Sequence, residues 1–271
     1  MRKFFICMFS TFILTVSLLG CSSVAKEPTV LTDTDFIVNL GKALEARWAW
    51  TDSDENSDEV IEEMSASEYQ NYLTKCVTSE TDILQSYENY VFEDEELAKL
   101  AKQYFFALEL QKEGVQYART NNYLNYDQTF NLGYNYRVVL INEFYTNFGL
   151  KVSDKYKTKL DDFIALNNTA KKSIAIQKFV NSLSETLSYT KDEEKSNEYS
   201  TYYKAIIENT TDYTIDSLAI EIDFLDASGV VINQSSDYLQ NLTAGKKIES
   251  SIWVEDENFE SMEFTITAYN N

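Results

Sequence analysis

The chain has 271 residues, 44 of them acidic against 23 basic, with no histidine, three cysteines and one proline, for a net charge of −21. A surface this acidic repels phosphates, which excludes nucleic acid as a partner and makes anionic lipid headgroups poor ones. The missing histidine excludes Ser-His-Asp and Cys-His catalysis, His-ligated metal centres and the usual side-chain switch near neutral pH.

Residues 1–20 have the parts of an export signal: Arg2 and Lys3, an apolar stretch from Phe4 to Leu19, and Gly20 before the break. At roughly 16 residues the stretch is shorter than the ~20 that a spanning helix needs. Leu18-Leu19-Gly20-Cys21 resembles the lipobox of bacterial lipoproteins. The resemblance implies cleavage before Cys21 and acylation of that residue, with palmitate or a similar chain, which holds the protein on the extracytoplasmic face of the cell membrane. More than one acyl chain on Cys21 is what stable anchoring requires. Losing residues 1–20 removes two positive charges and no negative one, so −21 becomes −23 in the mature chain. Residues 21–33 are read as a tether that contains Pro28; extended, it reaches at most ~40 Å.

Residues 34–190 carry a helical period and are expected to form an antiparallel bundle of about six helices. Phe36, Leu40, Leu44 and Trp48 recur every fourth residue. Leu97, Leu100, Ala101, Tyr104 and Leu108 follow the i, i+3, i+4 rule, as do Phe130, Tyr134, Val138, Ile141, Tyr145 and Phe148. Ser65 and Asp94 supply start signals, and Gly149 followed by Ser153 reads as a stop and restart. Cys76 lies on the apolar series Tyr69, Tyr72, Leu73, Cys76, Val77. With Cys7 in the signal and Cys21 under lipid it has no disulfide partner, and it is expected to be a buried thiol.

Between the first two helical segments, Asp52, Asp54, Asn56, Asp58 and Glu63 follow the spacing of an EF-hand calcium loop, in which alternating oxygens and a terminal carboxylate surround the ion. Ser57 stands where that loop needs glycine, and Glu59 where it needs an apolar residue. The five are the only metal-ligand candidates of the chain, and calcium the only candidate cofactor; an acidic linker between helices is the alternative. Asp161-Asp162 and Glu95-Glu96 are read as solvated helix faces. The tyrosine-rich stretch Tyr123, Tyr126, Tyr134 and Tyr136, near Arg119 and Arg137, is read mainly as core.

After the charged stretch Lys191–Glu198 the period changes to two. Leu218, Ile220, Ile222 and Phe224 alternate with polar residues, as do Ile248, Ser250, Ile252 and Val254, then Met262, Phe264, Ile266 and Ala268. Asp226-Ala227-Ser228-Gly229 and Thr243-Ala244-Gly245-Lys246 supply turns. A small β-sandwich over residues 198–271 is expected, with Trp253 on its polar face. Ile206–Thr211, Ile222–Asp226 with Gly229, and Leu242–Gly245 resemble the FxLYD-type module. That resemblance implies an immunoglobulin-like fold, common at the C-terminus of Gram-positive surface lipoproteins, with no catalytic role. The helical part resembles surface lipoproteins that carry the same tail.

The expected class is therefore α+β with two domains, an N-terminal all-α bundle and a C-terminal immunoglobulin-like sandwich. The expected function is non-catalytic binding, to a protein or cell-wall partner, by a lipid-anchored envelope protein. A carboxylate-dependent enzyme acting on wall glycan, and a calcium-stabilised surface module, are the alternatives.

Overall fold

A computed structural model describes residues 31–255 and 258–269. The expected signal peptide, Cys21 and the expected tether up to residue 30 lie outside the described residues. From Thr32 onward the chain forms one compact unit. Its first part is helical: α1 (Asp33–Thr51), α2 (Asp58–Glu63), α3 (Ala66–Leu84), α4 (Glu95–Gly114), α5 (Tyr123–Tyr126), α6 (Leu132–Phe148), α7 (Lys157–Ala165) and α8 (Asn167–Thr186). None of the helices described is long and apolar enough to cross a membrane.

The expected helix starts are present as caps. Ser65 and Glu68 form a capping box, Ser65 Oγ accepting from the Glu68 N–H and Glu68 from the Ser65 N–H. Asp94 accepts from the Leu97 N–H at 2.8 Å and opens α4. Gly149 ends α6 in the left-handed region at φ +67°, where a side chain would be strained. The apolar face of α1 is buried as its spacing predicts: Phe36, Leu40 and Leu44 are fully buried and Trp48 nearly so.

The face of α6 is rotated from the one the sequence indicates. Its buried residues are Gly133, Arg137, Val138, Leu140, Ile141 and Phe144, while Tyr145 is exposed and Phe148 half-buried. Two local features account for this. A π-helical turn over Asp127–Asn131 joins α5 to α6 and shifts the register of the helix by a fraction of a turn. Gly133 then sits against α4 so closely that an added Cβ would lie 2.5 Å from the Ala107 carbonyl oxygen. Only a residue without a side chain permits that approach.

The second part consists of β1 (Thr190–Lys191), β2 (Thr201–Glu208), β3 (Ile215–Leu225), β4 (Val231–Leu242), β5 (Lys247–Val254) and β6 (Ser261–Tyr269). They form two antiparallel sheets of order β1-β2-β5 and β4-β3-β6. The alternation read from the sequence holds: Leu218, Ile220, Ile222 and Phe224 of β3 face a core shared with Ile207, Ile252, Val254 and Ile266. The Asp226 turn is as expected, Asp226 Oδ1 accepting from the N–H groups of Ser228 (2.8 Å) and Val230 (3.0 Å) with Gly229 at φ +80°. The fully buried Asn209 ties the sheets at one end, donating from Nδ2 to the carbonyls of Tyr213 (2.8 Å) and Leu242 (2.7 Å).

The expected division at 191–197 is not a break in packing. Ile176, Phe179 and Val180 of α8 belong to the same apolar cluster as the sheet residues. The charged stretch itself folds onto the sheet. Asp192 is only 4% exposed and pairs with Lys204 at 3.3 Å and Lys195 at 3.8 Å. Burial alone would raise its pKa; the Lys204 hydrogen bond and charge, the Glu194 N–H and Lys195 overcome that and hold it below the ordinary carboxylate range.

Candidate functional site

Four helices each place one polar residue where their apolar stripe should continue. On α1 Arg47 follows Leu40 and Leu44; on α3 Glu80 follows Cys76 and Val77; on α4 Gln111 follows Ala107 and Leu108; on α6 Arg137 follows Gly133. The helices turn these four side chains toward one another. Arg137, Glu80 and Gln111 are fully buried and Arg47 is 7% exposed.

Glu80 is the centre of the group. Its Oε1 accepts from Arg47 Nη1 at 3.2 Å and from Arg137 Nη2, and its Oε2 accepts from Arg137 Nε at 3.1 Å and from the Tyr104 hydroxyl at 2.6 Å. The Arg137 contact is the two-pronged guanidinium–carboxylate arrangement, which fixes both groups in one plane. Arg47 Nη1 also donates to Gln111 Oε1 at 3.0 Å. Burial opposes the charge of Arg137, but Glu80 and Tyr104 hold its pKa above the ordinary arginine value. Arg47 is pulled the other way, by burial first and then by the facing charge of Arg137. The carboxylate has therefore used both oxygens on four donors, while Arg137 Nη1 and Gln111 Nε2 are buried without an acceptor in the protein.

Arg47 is also part of the wall of a cleft of about 410 Å³, within the size range of small-ligand sites. Trp48, Tyr69, Tyr72, Phe130, Tyr134 and Phe163 supply its aromatic surface. These rings are held by one another: Trp48 lies 5.7 Å from Phe163, Tyr134 meets Phe163 edge-on at 5.8 Å, and Tyr69 stacks on Tyr72 at 5.9 Å. The π-helical turn places Phe130 in the wall, backed by the close approach of Gly114, where a Cβ would stand 2.4 Å from the Phe130 nitrogen. Arg119, held in the left-handed region at φ 54°, lies over the Tyr69 ring at 4.3 Å. It donates to the carbonyls of Ile61 (2.6 Å) and Met64, so the C-terminal carbonyls of α2 meet a cation.

Cys76 lines the same cleft and is 2% exposed. Burial raises its pKa, against a smaller opposing pull from Arg47; burial and the neighbouring thiol raise that of Tyr72. Both stay protonated at neutral pH. A larger groove of about 590 Å³ runs along α4, α6 and α8 past Phe106, Tyr136 and Lys178. It lacks a converging set of buried polar groups, so the smaller cleft is the better site.

The five calcium candidates are not gathered into a cage. Asp52 caps the end of α1 and pairs with Lys159. Asp54 and Asn56 lie in a 3-10 turn, with Asn56 buried and its Nδ2 donating to the Trp50 carbonyl (2.9 Å) and to Ser53 Oγ (2.8 Å). Asp58 opens α2 and Glu63 closes it. Ser57, in the place of the loop glycine, takes extended backbone and caps α2, so a helix starts where the calcium loop would bend. Among the described residues no three His, Cys, Asp or Glu side chains converge as metal ligands would.

Trp253 is 49% exposed, as its strand position indicates, and Asp161, Asp162, Glu95 and Glu96 are exposed. Arg137, read as a flank of the tyrosine-rich stretch, is the most deeply buried cation among the described residues. Glu80 and Gln111 match no motif in the sequence; their places on otherwise apolar helical faces are the one signal that marks them. No family model, curated protein or solved structure matches the chain.

Proposed function

We propose that the chain is a cell-envelope lipoprotein, held to the membrane through acylated Cys21, whose helical part is a non-catalytic small-ligand binding module. Residues 198–271 are read as an FxLYD-type, immunoglobulin-like sandwich that presents this module or contacts a protein or wall partner. The observation that carries the binding reading is the aromatic cleft with a buried guanidinium in its wall. Aromatic walls with a few fixed polar groups are the usual make-up of a small-molecule site. The groups that line its inner part hold and orient: arginine stays protonated, and the Cys76 thiol and Tyr72 hydroxyl are held protonated by burial.

Two experiments test the reading. Growth with labelled palmitate should mark the wild-type chain and leave Cys21→Ser unlabelled and released from the membrane; an unlabelled wild type refutes the anchor. A panel of wall fragments, peptides and small acids, followed through tryptophan fluorescence, should give ligands whose binding fails in Tyr72→Ala and Phe163→Ala. Turnover of any of them, lost on substitution of a single carboxylate, would overturn the non-catalytic reading.

A further inference from the structure

We infer that the cleft selects a monoanion, a carboxylate carried on an apolar or aromatic ring, and that Arg47 receives it. This rests on the cleft being a binding site and adds its charge preference. Two guanidinium groups and one carboxylate lie within hydrogen-bonding distance of one another, Arg47 and Glu80 at 3.2 Å and Arg137 in direct contact. All three are withdrawn from water, so the group carries one uncompensated positive charge. Glu80 cannot supply more, because both its oxygens already accept two donors each. Gln111 and Tyr104, the other polar groups of the cluster, are neutral. Two buried donors in the same group, Arg137 Nη1 and Gln111 Nε2, lack an acceptor. Arg137 and Gln111 do not line the cleft, so a carboxylate there answers the surplus positive charge through Arg47 and leaves those two donors as they are.

The position of Arg47 makes it the receiving residue. It is the member of the cluster that also lines the cleft. The remaining charges near the cleft nearly balance: Lys159 is paired with Asp52, Asp162 is solvated at the rim, and Arg119 lies over Tyr69. Aromatic walls alone would also suit a quaternary cation. The buried positive charge disfavours that occupant and favours an anion. The ring of the ligand meets Trp48, Tyr72 and Phe163, which explains why an acidic protein of net charge −21 would select an anion with an apolar body over a bare one.

The test uses the full chain in lipid nanodiscs, with empty nanodiscs as the blank. Phenylacetate, indole-3-propionate and cyclohexanecarboxylate are each titrated calorimetrically against their neutral amides. The expected result is at least a tenfold tighter Kd for the acid of a pair than for its amide, with the preference abolished in Arg47→Met. Tyr72→Ala, outside the ion network, is expected to weaken acid and amide alike. Equal affinities of acid and amide, or an acid preference that survives in folded Arg47→Met, overturn the charge inference and leave the cleft as a binding site. No binding by any member of the panel overturns both. Should Arg47→Met not fold, wild-type protein answers through Cys76 of the same cleft: at equal concentration the acid slows alkylation of the thiol more than its amide does, and equal rates count against the proposal.

Discussion

Replacing Glu80 by glutamine keeps the shape of the side chain and takes away its charge. Glu80 is fully buried and receives four hydrogen bonds, three of them from Arg47 and Arg137. In Glu80→Gln two guanidinium groups face each other with no counter-charge, and the new amide N–H₂ points at donors. Breaking a buried pair by removing one partner costs about 3–5 kcal/mol, a large part of the ~5–15 kcal/mol that holds a domain together. At roughly 2–4 °C per kcal/mol for a chain of this size, Tm should fall by about 6–20 °C. The assay is thermal and urea unfolding followed by far-UV circular dichroism, with Tyr104→Phe as comparison. That variant removes a single hydroxyl from the same carboxylate and should cost about 1–3 kcal/mol. The triple replacement Arg47→Met, Glu80→Leu, Arg137→Met is expected to recover most of the loss, since apolar groups need no counter-charge. A loss below about 1 kcal/mol for Glu80→Gln, or one no greater than that of Tyr104→Phe, would refute the description of Glu80 as the neutralising centre of a dry site.

Cys76 should react with iodoacetamide at neutral pH only as fast as the protein opens, because the thiol is 2% exposed and burial raises its pKa; labelling at the rate of a free thiol contradicts that placement. Gly133→Ala should destabilise by about 1–3 kcal/mol, since its Cβ would meet the Ala107 carbonyl at 2.5 Å and push α6 off α4; an unchanged urea midpoint would show that the helices have slack there. The depressed pKa of Asp192 means that its pairing stabilises the fold fully above the unfolded value near ~3.9 and that this contribution fades as pH falls through the folded value. Asp192→Asn should therefore be less stable at neutral pH and show a flatter acid limb below about pH 4 in a circular-dichroism titration; parallel acid limbs would mean that the pairs with Lys204 and Lys195 contribute nothing.

Much of the fold is legible in the sequence because it depends on local rules. Helix starts at Ser65 and Asp94, the stop at Gly149, the buried side of α1 and the inward residues of β3 follow from capping chemistry and from periods of 3.6 and 2. The face of α6 does not follow, since a π-helical turn and the glycine contact with α4 shift it by a fraction of a turn. Reading Lys191–Glu198 as a divide also goes too far: a run of charges is taken as solvated, yet Asp192 gains two lysine partners once β1 and β2 pair. The spacing of the calcium candidates is a one-dimensional match, undone by the cap that Ser57 provides to α2.

From the sequence alone come the lipobox-like run at Leu18–Cys21, the negative charge, the absence of histidine and the change from helix to strand near residue 190. Each of these is a property of composition or of neighbours along the chain. The candidate site is of the other kind. Arg47, Glu80, Gln111 and Arg137 are separated by 26 to 90 positions in the sequence, and each by itself is an ordinary polar residue on a helix. Only the packing of α1, α3, α4 and α6 removes them from water together, and only then does their unequal charge matter, because a dry interior leaves a surplus cation no solvent to neutralise it.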